Sequence, residues 1–148
     1  MLILIHLCAT LFMTGVIWFV QVVHYPLFVE VGPERFAQYE ALHTSRTSTV
    51  VIPAMLTELA AAMFLLIAPP PAISRVSPAI GLALLALIWL TTALASVPAH
   101  AELAGGFSAA AHTRLVATNW IRTTGWSCRT IVAVWITAQA ISSSTSSQ

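Results

Sequence analysis

Four apolar stretches constrain this chain more than any other feature. A helix needs about 20 mostly apolar residues to cross the ~30 Å hydrocarbon core of a bilayer, where no backbone polar group can be left without a partner. Leu2 to Val23 meets that length alone. Val50 to Ile67 is apolar except for Thr57 and Glu58, Ile80 to Val97 is almost entirely Leu, Ala and Ile, and Val116 to Ile141 is broken by Arg122 and Arg129. Only 7% of the 148 residues are charged, against about 25% in an ordinary soluble domain, so a water-facing surface cannot be assembled from this composition. The pattern predicts an all-α fold, an integral membrane four-helix bundle. Its helices are expected over residues 2–24, 49–68, 79–97 and 116–141 of a single transmembrane domain, 1–141. The tail SSSTSSQ, 142–148, reads as disordered.

Several classes fall away at once. The basic groups are all arginine and the formal charge is +1, which gives no field to attract nucleic acid. Cys8 and Cys128 fall at different depths of different helices, so a disulfide is not expected. The N-terminus lacks the basic residues of a secretory signal, and its apolar run continues without a small-residue cleavage site, so it reads as a retained helix. No nucleophile elbow, phosphate loop or dinucleotide fingerprint occurs.

With four crossings, the segments Tyr25 to Thr49 and Pro98 to Leu115 share one side, with Pro33 to Leu42 as a short surface helix. Both termini and the turn at Pro69, Pro70 and Pro71 share the other. Arg35, Arg46 and Arg114 against Arg75 alone put the first, polar side in the cytoplasm and the termini in the periplasm. A faint repeat pairs helices one and two with three and four. His24 and His100 each precede an Arg-Thr pair by 22 residues (46 minus 24, 122 minus 100), which implies a tandem duplication of a two-helix unit.

Helix one carries His6, Thr10, Ile17, Gln21 and His24 at helical spacing, and helix four carries Asn119, Arg122, Trp126 and Arg129 on one face. Ionisable groups at membrane depth face a bundle interior, a cavity or a partner. Glu58 is the one carboxylate expected as deep as Arg129, and the two form a candidate buried charge pair. Four of the five histidines, His24, His43, His100 and His112, fall at the polar side. Neutral imidazoles from two helices can ligate a haem iron while arginines take the propionates. The candidate cofactor-binding set is therefore His24 and His100 on the iron of a b-type haem, with His43, His112, Arg46, Arg122, Trp18 and Gln21 around it. A competing transition-metal site would join His100 and Glu102 to His24, His43 or Glu30.

The strings Trp18-Phe19, Gln21, His24-Tyr25-Pro26 and Phe28, then His43, Arg46-Thr47 and Pro53, then Asn119-Trp120, Arg122-Thr123, resemble an uncharacterised family of small bacterial four-helix membrane proteins. More remotely, Trp18-Phe19 with Tyr25-Pro26, and Arg46 with Pro53, are similar to the first two helices of the HemJ-type protoporphyrinogen oxidases. Leu27 stands where that pattern has arginine, and the chain contains no lysine. The resemblance implies a helical bundle in a bacterial inner membrane that can hold haem, and does not extend to the oxidase reaction.

Three functions are consistent with these residues. The first is a membrane protein holding a redox cofactor, haem b, near one face. The second is a non-catalytic accessory subunit or homo-oligomer, packed through the small residues Gly81, Ala83, Ala86, Ala93 and Ala95. The third is a site for quinone, lipid or porphyrin built from Trp18, Trp89, Trp120 and Trp126 with Arg129.

Overall fold

The computed structural model describes residues 1–145, and among these there are helices and connections but no strand. Four rods follow one another: α1 (Leu2–Glu30), α2 (Pro33–Ile67), α3 (Val76–Leu103) and α4 (Ala109–Thr145). The first three are long and apolar enough to cross a membrane. The fourth is interrupted by arginines, but Arg122 and Arg129 turn inward.

The rods are longer than the apolar stretches. Tyr25 to Thr49 is not a connection: α1 ends in a 3-10 turn over Pro26–Glu30, and α2 starts at Pro33 after only Val31 and Gly32. Pro33 supplies the preset φ favoured at the first helical position, and Glu34 complements the helix dipole there. One inward stripe then runs the length of α2 at steps of three and four: Phe36, Glu40, His43, Thr47, Val51, Met55, Glu58, Ala62 and Leu65. That unbroken stripe carries the helix through Pro53, whose missing N–H removes the bond to the Thr49 carbonyl. Likewise α4 begins at Ala109 rather than Val116 and continues past Ile141 to Thr145, so the expected tail is helical over 142–145. Residues 146–148 lie outside the described residues. At about 1.5 Å per residue, α2 and α4 each exceed 50 Å and overrun a ~30 Å hydrocarbon core.

Two rods change pitch part-way. In α1 a π turn spans Val20–His24, where the Tyr25 N–H reaches back five residues to the Val20 carbonyl. In α3 a π turn spans Thr92–Ser96, one turn before His100. Such turns are single insertions in an α-helix and recur at functional sites.

Helix α4 lies against both α1 and α3, and α1 against α2, while α2 and α3 meet more sparsely. The α3–α4 contact is close enough that a Cβ added at Gly125 would come within 2.9 Å of Ile88 Cγ1. Three apolar clusters stack along the axis. Leu65, Ile73, Val132 and Ile136 lie near the proline turn; Met13, Ile17, Leu85, Ile88 and Trp126 are central; Phe28, Phe36, Leu103 and Leu115 close the far end. The outer surface is apolar too, with Leu94, Ile131 and Phe64 exposed, whereas His6, Thr10, Gln21, Glu40, Glu58, Asn119 and Arg129 are buried. Polar inside and apolar outside is the reverse of a water-soluble bundle.

Candidate functional site

The overrunning end of the bundle gathers the histidines. The π turn of α1 and the 3-10 turn behind it set His24 and Tyr25 beside the first turns of α2, whose stripe presents Glu40 and His43. His24 Nε2 lies 2.7 Å from His43 Nδ1, and Thr47 Oγ1 is 3.2 Å from the same nitrogen. His100, delivered by the end of α3, is bonded on both sides. Its Nδ1 is 2.5 Å from the Glu40 carboxylate and its Nε2 is 3.0 Å from the Tyr25 hydroxyl. A carboxylate accepts, so in the neutral ring Nδ1–H donates to Glu40 and Nε2 accepts from Tyr25. The result is a phenol–imidazole–carboxylate chain that joins α1, α3 and α2. The carboxylate fixes the tautomer and orientation of the imidazole, as in other base–orienter pairs. Glu40 is fully buried, and its Oε2 has no hydrogen-bond partner.

Beneath this chain lies a cavity of about 390 Å³ between α1, α2 and α3, on the side where α2 and α3 meet sparsely. Its walls are apolar, from Met13, Ile17, Val51, Met55, Trp89 and Val97. Its polar end is made by Tyr25, His43, Ser96, His100 and Arg122. Arg122 is only 7% exposed. Its Nη1 donates to Ser96 Oγ at 3.2 Å and Asn119 Oδ1 at 3.0 Å, its Nε has no partner, and no carboxylate lies within 4.0 Å among the described residues.

Two turns down α4 (129 minus 122), the other inward arginine is fully enclosed. Arg129 donates through Nε to Glu58 and through Nη1 to the Gly81 carbonyl, and through Nη2 to His6 Nε2 at 3.0 Å. Thr10 donates to the same Glu58 oxygen at 3.0 Å. Every rod contributes: His6 and Thr10 from α1, Glu58 from α2, Gly81 from α3 and Arg129 from α4. A Cβ at Gly81 would come within 3.1 Å of Arg129 Nη1, so glycine is what lets the guanidinium reach the α3 backbone. Because Arg129 only donates, His6 must accept through Nε2 and carry its proton on Nδ1, which has no partner.

The remaining expected site residues are dispersed. Gln21 is buried against α4, where it accepts from Asn119 Nδ2 at 2.8 Å and donates to the Val116 carbonyl. His112 donates to the Tyr25 carbonyl at 2.7 Å and so holds the chain reversal after α1. Trp18 faces outward, bonds Ser127 and meets Trp120 edge-on at 5.8 Å. Arg46 is exposed and lines a shallow recess with His24. Of the four tryptophans expected around a ligand, only Trp89 lines the cavity. Tyr25, Glu40 and Ser96 were not among the expected site residues.

His24 and His100, the expected haem ligands, both lie close to the His43 ring, whose centroid is 4.6 Å from that of His24 and 5.3 Å from that of His100, and both nitrogens of His100 are bonded within the protein. Glu102, expected in a competing metal site, bonds Arg114 and Ser108. Among the described residues no group of three or more His, Cys, Asp or Glu is arranged around a metal position. No protein-family model, curated protein or solved structure matches the chain.

Proposed function

We propose that this chain is an integral membrane protein that binds a lipid-soluble small molecule, of the quinone, lipid or porphyrin kind, in the cavity between α1, α2 and α3. The observation that carries the reading is the cavity itself. Its lining is mostly apolar, with hydroxyls from Thr44, Thr47, Ser48 and Thr92, and it brings together Tyr25, His43, His100 and Arg122. Small-molecule sites combine a mostly apolar lining with a few fixed polar groups, within volumes of about 300–1,000 Å³. The sparse α2–α3 contact is consistent with entry from the side of the bundle. The inside-out distribution of polarity supports insertion. On this reading all four rods cross a bacterial inner membrane, and the exposed Arg35, Arg46 and Arg114 support a cytoplasmic side for the cavity end through the positive-inside rule.

The accessory-subunit reading draws on one observation, that Ala83, Ala86 and Ala93 face outward on α3; Gly81 is already occupied by Arg129. The two readings part in one experiment. The chain is purified in mild detergent, its optical spectrum is taken oxidised and dithionite-reduced, and its solvent extract is compared with that of Val51→Trp, which fills the cavity. Ligand binding requires a molecule in the wild-type extract that the variant lacks. A Soret band lost in the variant would identify it as a haem or porphyrin. Extracts that match in every component, with no absorbing cofactor in either, would overturn the proposal.

A further inference from the structure

We infer that the head group held in this cavity is an anion, and that the ligand is a single-chain amphiphile ending in a carboxylate. The inference rests on the cavity reading above and adds the charge and class of the molecule. It comes from the difference between the two inward arginines of α4. A guanidinium removed from water needs an opposite charge or a full set of acceptors, because its desolvation is not otherwise offset. Arg129 has both within the protein. Arg122 has only neutral partners, Ser96, Asn119 and the Tyr25 hydroxyl, together with an unpartnered Nε and no carboxylate within 4.0 Å among the described residues, and it lines the cavity. Of the buried carboxylates with an unpartnered oxygen, Glu40 is committed through its other oxygen to His100 and Glu58 to Arg129.

Geometry narrows the class further. A planar guanidinium matches a carboxylate as a two-bond pair, which a neutral carbonyl cannot reproduce. The neighbouring polar groups suit the same head. The His43 ring lines the cavity and has its Nδ1 engaged by His24 and Thr47. Met13, Val51 and Met55 line the same cavity as Arg122 and give a chain apolar contact. A volume near the lower limit for small-molecule sites takes one acyl chain rather than two.

The test uses the whole protein in nanodiscs of zwitterionic lipid and a conjugated polyene fatty acid, whose fluorescence is excited by transfer from tryptophan. Its methyl ester and the corresponding alcohol serve as neutral partners of identical chain. Wild type is expected to bind the acid on the order of tenfold more tightly than either neutral probe, the ratio expected for one charge-assisted pair. In Arg122→Gln the acid should fall to the level of the ester, the ester should change less than about twofold, and Arg122→Lys should restore part of the preference. Equal binding of acid, ester and alcohol by wild type would overturn the anionic head while leaving the cavity as a ligand site, and needs no variant to fold. Binding of all three probes that survives Val51→Trp would overturn the cavity reading itself. An acidic two-chain lipid that displaces the fatty acid at equal concentration would overturn the single-chain class.

Discussion

Arg122 and Arg129 lie two turns apart on one face of one helix, yet their surroundings are opposite. Arg129 is closed on every side by groups from the other three rods, and each of its three nitrogens has a bond inside the protein. Arg122, at the cavity, keeps an unpartnered nitrogen and has no carboxylate within 4.0 Å among the described residues. A buried ion pair that ties four helices together spends its charge on the fold. A buried cation left open at a cavity holds its charge for something that arrives. The contrast separates the bundle into a locked lower half and a receptive upper half, and substitutions should tell the halves apart.

The largest effect belongs to the locked half. Glu58→Ala leaves Arg129 buried without its carboxylate and should cost about 3–5 kcal/mol, while the double variant Glu58→Met with Arg129→Met should lose far less than the single. Thermal unfolding followed by circular dichroism in detergent measures both, and additive losses would mean the pair is not coupled. Next comes Gly81→Ala, where the added methyl meets a guanidinium fixed by three bonds; a loss of about 1–3 kcal/mol is expected. A neutral result in the same melts would show that Arg129 can shift without losing its partners. In the receptive half, Tyr25→Phe removes the donor to His100 Nε2 and should cost about 0.5–1.5 kcal/mol. The proton resonances of the His100 ring should move with it, and unchanged resonances would break the phenol–imidazole–carboxylate chain. The smallest effect is expected for Arg122→Met, within about 1 kcal/mol of wild type in the absence of ligand, since no ion pair is broken. A loss comparable to Glu58→Ala would erase the distinction between the two centres.

The two halves also differ in how far the sequence discloses them. Glu58 and Arg129 stand out because a charge amid apolar residues is conspicuous, and one acid and one base at similar depth can be matched without knowing the packing. The four apolar stretches announce four helices for the same reason. The upper half is harder to read. Its helices overrun the hydrocarbon thickness, where polar residues become tolerable, and hydropathy alone makes the stretch around Glu34, Arg35, Gln38, Ser45 and Arg46 look like a connection. The three-and-four stripe of Phe36, Glu40, His43 and Thr47 was the available sign of a continuing helix. The histidines could be grouped by height but not by partner. The Tyr25–His100 and Glu40–His100 bonds span 75 and 60 residues of sequence, and their rotation about the helix axes depends on π turns that leave no compositional trace. The approach of His43 to both His24 and His100 follows from the same rotation.

Those π turns have a consequence for how the molecule can change. Each adds one residue to a turn, and one residue is about 100° of helix rotation. Everything that follows Val20–His24 in α1, and everything that follows Thr92–Ser96 in α3, is therefore phased separately from what precedes it. Removing a single residue from either turn would swing Tyr25 or His100 away from the cavity while His6, Thr10 and Gly81 kept their bearing on Arg129. The bundle behaves as two dials on shared shafts, and the upper dial can be reset without disturbing the lower.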